Sequence, residues 1–170
     1  LTHRINIYCR ACIVYTFAAA VAGDGKDTPP RVPAYETGDF RKQILALDYS
    51  LSALEANLLS FTLWNYTPEN NNIRGDLWND EDLSIFSQDQ VSMFPNEKSI
   101  HAGGRALQSV VRPYTMKTCG VPLRSIFKPF SEARVFELSF DSRKFDEARA
   151  KADDATPPTV IFLPRFQYPE

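Results

Sequence analysis

Five apolar residues at helical spacing run into a short apolar segment, and that order limits the possible folds more than any other feature. Phe40, Ile44, Leu47, Leu51 and Leu54 recur at intervals of three and four. This spacing puts them on one face of a helix from about Thr37 or Asp39 to Glu55. Thr37 can cap exposed amides, and Asp39 lies near the positive end of the helix dipole. The run LLSFTLW, residues 58–64, is short, apolar and bounded by loop residues, which suits a fully buried strand. A helix followed by a buried strand is half of a βα repeat. The stretch before it, GDGKDTPPRVPAYE at 23–36, reads as a loop.

A polar stretch rich in turn formers follows, from Asn65 to Gln90. Loops of this length inside a domain are usually functional or disordered, and the tryptophans at 64 and 78 that bracket its first part favour function. Ser99 to about Val111 can form a second helix, weakened by Gly103 and Gly104 and stopped by Pro113. Beyond Tyr114 the character changes. YTMKTC, PLRSIF, ARVFELSF and TVIFLPRF are short runs with strand-like alternation, punctuated by Pro and Gly. In ARVFELSF, Val135, Glu137 and Ser139 share one face while Phe136, Leu138 and Phe140 share the other. These runs predict an antiparallel sheet that is part of a sandwich. The charged segment DSRKFDEARAKADDATPP between two strands reads as an exposed loop or short helix.

Composition narrows the function classes. With 19 basic and 21 acidic residues the formal net charge is -2, and no Lys/Arg cluster interleaves with aromatics, so no nucleic-acid partner is expected. No apolar run reaches the roughly 18 residues of a membrane span. Cys9, Cys12 and Cys119 make no disulfide framework. Cys9 and Cys12 form a lone C-x-x-C with only His3 and His101 to complete a metal site, so the two read as incidental thiols, with no metal or cofactor expected. Residues 1–22 carry Arg4 and Arg10 ahead of an apolar stretch ending Ala20-Val21-Ala22. That has the shape of a secretory signal. The competing reading, which is preferred, is a buried strand or helix, or sequence from a faulty gene model.

AYETGDF (34–40), LLSFTLWNYTPENNN (58–72), GDLWNDEDLSIFS (75–87), RPY (112–114) and PRFQYP (164–169) carry a family resemblance. Over residues 34–170 the chain resembles the C-terminal half of fungal glycoside hydrolase family 5 proteins, the group of endoglycoceramidase-related glucosylceramidases and steryl β-glucosidases. The resemblance implies a fold class of α/β plus all-β: the C-terminal part of a (β/α)8 barrel followed by an incomplete antiparallel β-sandwich. Residues 1–33 then stand as an aberrant leader or mispredicted segment. Residues 34–113 are the last βα units of the barrel, and 114–170 part of the sandwich domain. Within the barrel, 37–56 match the seventh helix, 58–64 the eighth strand and 99–111 the eighth helix.

The implied chemistry is retaining hydrolysis of a glycolipid β-glucoside, glucosylceramide or a steryl glucoside. It needs two carboxyl groups about 5–5.5 Å apart. The family places its acid/base on the fourth strand, upstream of anything here. Its nucleophile lies in a G-E-x-G-I-P-like motif that should fall within residues 10–33. That stretch has no Glu, and Asp24 and Asp27 stand in the wrong motif. No catalytic residue is therefore assigned, and the chain alone is expected to be inactive. Trp64 matches the family's aromatic platform for the sugar, with a core Trp as the bland alternative. Asn71, Asn72, Asp76 and Trp78 are candidates for the sugar or lipid entrance, against ordinary turn capping. The trio Asp80, Glu81 and Asp82 reads as a solvated turn or helix cap. Ser84, Ser87 and His101 form no triad. The expected partner is a glycolipid or β-glucoside with peripheral membrane contact, in a cytoplasmic or membrane-peripheral setting ahead of a secreted one. The competing function is a non-catalytic carbohydrate- or lipid-binding or structural β-sandwich module.

Overall fold

A computed structural model describes residues 11–14, 33–73, 75–76, 82–93, 100–142 and 158–169. These residues group into two units. One is drawn from residues 10–47 and 61–107, the other from 48–60 and 108–170.

The first unit contains strand β1 (Ala11–Val14), helix α1 (Pro33–Thr37), the opening turns of helix α2 (Arg41–Ala56), strand β2 (Phe61–Trp64) and helix α3 (Gln88–Met93). β1 and β2 pair in parallel, Ala11 opposite Phe61 and Val14 opposite Trp64. Parallel neighbours need a long crossover, and α2 lies within it. The strand β1 falls within residues 10–33, the stretch where the resemblance expects the nucleophile motif.

The apolar stripe of α2 behaves as its spacing predicts. Phe40, Leu47 and Leu51 are buried, and Ile44 and Leu54 are half-buried. The helix begins later than expected because the chain breaks at Gly38, whose φ of 71° is left-handed. Asp39 then caps α2: its carboxylate accepts from the Arg41 amide at 3.1 Å and from the Arg41 guanidinium at 2.6–3.0 Å. The side-chain bond from Arg41, and then its main-chain bond, hold the Asp39 carboxyl down at about 2 against an ordinary 3.8. A depressed carboxyl stabilises the fold above its unfolded value and loses that contribution as pH falls through its folded one. The cap should therefore survive acidification from pH 3.8 and fail near about 2. Circular dichroism across that window should show a small fall in helicity that Asp39→Asn abolishes.

At its other end α2 closes in a Schellman arrangement. The Leu59 amide donates to the Leu54 carbonyl at 3.0 Å and the Leu58 amide to the Glu55 carbonyl at 2.9 Å, with Leu58 left-handed at φ 54°. Leu58 and Leu59 thus terminate the helix, so the strand expected over 58–64 is only Phe61–Trp64. Nor is it fully buried: Phe61 and Leu63 are half-buried, while Thr62 and Trp64 are exposed.

The helix expected over 99–111 shrinks to α4 (Leu107–Val110); Ser99 itself lies outside the described residues. Ahead of α4 the chain pairs instead with Ile85–Ser87. The Ser87 amide donates to the Gly103 carbonyl at 2.9 Å, the Arg105 amide to the Ile85 carbonyl at 2.7 Å, and Gly104 bridges Phe86. Gly103 has φ 82°, and a Cβ there would lie 2.3 Å from Phe86 Cε2, so only glycine fits.

The second unit holds the last turns of α2, most of α4, and strands β3 (Tyr114–Lys117), β4 (Val121–Lys128), β5 (Val135–Asp141) and β6 (Val160–Phe162). The alternating runs become strands as predicted, and all pairs among them are antiparallel: β3 with β6, and β4 with β5 as a hairpin. Glu137 lies on the polar face of β5, where Lys128 (2.9 Å) and Arg124 (3.5 Å) pair with it and lower its pKa. Most of the charged segment 141–158 lies outside the described residues.

Arg112 holds this unit together. It grips Glu55 with two donors (2.5 and 2.8 Å) and reaches Asp48 (2.6 Å), Ser52 (3.2 Å) and the Phe127 carbonyl (3.5 Å). Its guanidinium carbon lies 5.0 Å from the Phe127 ring centroid. Burial opposes its charge, but the bonds to Glu55 and Asp48 together outweigh burial and raise its pKa. Gln167 is buried and donates to the Gln108 and Val111 carbonyls (2.9 and 2.8 Å), satisfying the open end of α4.

Candidate functional site

The candidate site is built on the first unit, where β2 ends. Trp64 is its last residue and is 43% exposed. The Trp64–Asn65 peptide bond is cis. From Asn65 onward the backbone leaves β1 and pairs with a different segment. The Asn65 amide donates to the Leu83 carbonyl (3.2 Å), and the Ile85 amide donates to the Asn65 carbonyl (2.9 Å). One carboxylate oxygen of Asp76 accepts from the Asn65 side chain (2.7 Å) and the Leu83 amide (3.1 Å). Thr67 bonds back to Asn65 and to Ser84. The described part of the loop after the tryptophan, the rim of the candidate site, is thus held by hydrogen bonds. Tyr66 on it is exposed, its ring 5.3 Å from that of Phe86.

Beneath the rim lies a buried polar network. Asp82, 6% exposed, accepts from Tyr35 Oη (2.6 Å), Arg105 Nη1 (2.7 Å), Asn70 Nδ2 (3.1 Å) and the Ser84 amide (3.3 Å). Arg105 is completely buried. Besides Asp82 it reaches the Ser84 carbonyl (3.3 Å) and Asn72 Oδ1 (2.5 Å), and its guanidinium carbon lies 4.6 Å from the Tyr35 ring centroid. Burial, and then the bond to Asp82, push the Tyr35 hydroxyl pKa well above its ordinary 10.0. Such an arrangement holds structure: Asp82 and Arg105 neutralise each other, as burial requires, while the buried Arg105 Nε and Asn70 Oδ1 have no hydrogen-bond partner among the described residues.

The predicted site residues therefore separate. Trp64 is open to solvent. Asn71 accepts from the Ile73 amide (3.1 Å) and bridges Gly75, a turn-forming role. Asn72 ties the rim to Arg105 and Ser87, and its own amide donates to Asp89 (2.7 Å). Asp76 joins Asn65 to Leu83. Trp78, with Asp80 and Glu81, lies outside the described residues. Asp82 was expected to be a solvated turn or cap; it is the buried centre of the network, because Arg105 and Tyr35 supply the opposite charge and the donor that burial demands. Sequence reasoning missed Arg105, Tyr35 and Asn70 altogether. The one local hint is the motif AYETGDF, which contains Tyr35. Among the described residues no three His, Cys, Asp or Glu converge as a metal site, and no helix is long and apolar enough to cross a membrane. Cys9 and His3 lie outside the described residues.

Comparison with known proteins places these observations. Residues 112–170 match the model of the glycoside hydrolase family 5 C-terminal domain. A glucosylceramidase of Rhizopus delemar is 31% identical over 145 residues, covering 79% of this chain and 20% of that protein. A glucosylceramidase of Cryptococcus neoformans var. grubii is 37% identical over 139 residues, covering 78% of this chain and 18% of that protein. A crystal structure of Cryptococcus neoformans sterylglucosidase 1 superimposes with a TM-score of 0.53 at 33% identity, over 61% of this chain and 15% of its own. The chain thus spans about a fifth of the length of the curated relatives it matches.

Proposed function

We propose, from the match of residues 112–170 to the model of the glycoside hydrolase family 5 C-terminal domain, that this chain supplies one wall of the sugar site and the accessory β-domain of a retaining glycolipid β-glucosidase. The substrate class is a lipid β-glucoside, glucosylceramide or a steryl glucoside. In this reading β1 and β2 are the last two strands of a (β/α)8 barrel, and residues 114–170 begin its β-sandwich. Trp64 stands at the C-terminal end of a parallel strand, where barrel enzymes place their chemistry. Its exposed indole offers an apolar face on which the C–H face of glucose stacks. Asn71, Asn72 and Asp76 shape the rim around it, with Trp78 on the same loop.

The observation that carries this reading is an exposed tryptophan at a strand end, followed at once by a hydrogen-bonded rim. No residue here is assigned as nucleophile or acid/base, since Asp76 and Asp82 are already engaged as structural acceptors. The chain alone should therefore leave a chromogenic β-glucoside uncleaved yet bind a short-chain alkyl β-glucoside weakly. Trp64→Ala should weaken that binding about tenfold, as expected for one lost aromatic contact of about 1.4 kcal/mol. Calorimetric titration checks it, and equal binding by parent and variant would refute the platform role.

A second reading, a non-catalytic binding module with peripheral membrane contact, is favoured by the exposure of Tyr114, Met116, Leu123 and Leu163 in the β-region. It predicts binding to glucolipid vesicles that Trp64→Ala leaves unchanged.

A further inference from the structure

We propose that Tyr66 is the aglycone contact of this site: its ring covers the first part of the lipid of a β-glucoside whose sugar lies on Trp64. The inference rests on the platform reading of Trp64 and adds to it a residue that meets the lipid. Exposure alternates along the segment from Phe61 to Pro68, and Thr62, Trp64, Tyr66 and Pro68 are its open positions. Tyr66 is 62% exposed, the most open aromatic side chain among the described residues of the first unit.

A single exposed ring on a protein surface is ordinary. Tyr66 differs because it is held from behind. Its ring packs on that of Phe86, with centroids 5.3 Å apart and a tilt of 43°. Phe86 is anchored in turn. Its amide donates to Ser84 Oγ at 3.2 Å, and its carbonyl accepts from Asn70 Nδ2 at 2.6 Å. Gly103 lies against its ring, where a Cβ would stand 2.3 Å from Cε2. The residues on either side of Tyr66 are tied as well. Asn65 pairs through its backbone with Leu83 and Ile85, and the Thr67 amide donates to Ser84 Oγ at 3.1 Å. The ring is thus presented to solvent already ordered, so covering it costs little further ordering.

Two residues of chain reach at most about 7 Å. A ligand seated on Trp64 therefore brings the group attached to its glucose within range of Tyr66. In a lipid β-glucoside that group leads into hydrocarbon. An aromatic face contributes apolar area rather than a directional bond, which suits an alkyl chain or a sterol skeleton.

Methyl, hexyl and octyl β-glucosides, kept below micelle formation, would be titrated calorimetrically into the chain. The parent should bind the octyl compound about tenfold tighter than the methyl one, the yield of about two covered methylene groups. Tyr66→Ala should shrink that ratio to about twofold or less, by weakening hexyl and octyl far more than methyl. Tyr66→Phe should keep the parental ratio, because the ring face and not the hydroxyl makes the contact. Trp64→Ala should weaken all three ligands by one common factor and leave the ratio in place.

A Tyr66→Ala protein that keeps the parental ratio overturns the inference, as does a parent that binds the three ligands equally or binds none. So does a Tyr66→Ala protein that loses methyl and octyl β-glucoside by the same factor, since Tyr66 would then meet the sugar. A ratio that depends on Tyr66 in a protein indifferent to Trp64→Ala would instead refute the platform reading and leave the aglycone contact standing.

Discussion

Arg112→Met is expected to destabilise the second unit by about 3–5 kcal/mol, the usual cost of removing one partner from a buried ion pair. Arg112 is one cation facing two carboxylates. The side chains of Asp48 and Glu55 are only 12% and 10% exposed, and Arg112's own is 4% exposed. Without the guanidinium, two like charges on one helix face would be left in a poorly solvated place with no counter-charge. The Ser52 hydroxyl and the Phe127 carbonyl would each lose a donor as well. Arg112→Lys should fall between parent and Met, because an ammonium keeps the charge but cannot make the two-pronged bond to Glu55. Replacing Arg112, Asp48 and Glu55 together by apolar residues should recover much of the loss, since no charge is then stranded. Urea unfolding followed by far-ultraviolet circular dichroism, with hydrogen exchange in β4 and β5, measures all three. An Arg112→Met protein as stable as the parent would show that the cluster is solvated and the pairing incidental.

What the sequence disclosed divides along one physical line. Features set by neighbours within a turn or a strand were legible. The stripe from Phe40 to Leu54 predicted the buried face of α2, because helical periodicity is local. The alternation of ARVFELSF predicted β5 with Glu137 on its polar side, because strand periodicity is local too. The segment from Gly103 to Arg105 was misread as helix. Its preference was overridden by Ile85–Ser87, a strand-like partner some 18 residues away that no local pattern reveals. The rim's polar composition announced a loop, but not the acceptors that fasten it. Asn72, a candidate for the substrate entrance, has its side-chain oxygen occupied by Arg105 and Ser87.

Asp82→Ala should destabilise the first unit by about 3–5 kcal/mol, again because a buried charge loses its partner. Here the charge left behind is Arg105, whose side chain has no solvent access. The same substitution strands the Tyr35 hydroxyl, 47 residues distant in sequence, and removes one of two acceptors from the Asn70 amide, 12 residues distant, which keeps the Phe86 carbonyl at 2.6 Å. That separation explains why Asp82 passed for a solvated turn residue beside Asp80 and Glu81: the groups that make it central come from other parts of the chain. Asp82→Asn should cost nearly as much, because an amide nitrogen in place of one oxygen would face donors on either side. Tyr35→Phe removes a single hydrogen bond and should cost about 1 kcal/mol. The double variant Tyr35→Phe with Asp82→Ala should cost less than the sum, since the hydroxyl stranded by one change is deleted by the other. Urea unfolding read from Trp64 emission in the Trp78→Phe background measures each step. An Asp82→Ala protein within about 0.5 kcal/mol of the parent would mean the residue is a surface position after all. The rim beside Trp64 would then owe its order to the backbone pairing of Asn65 and to the Asp76 carboxylate.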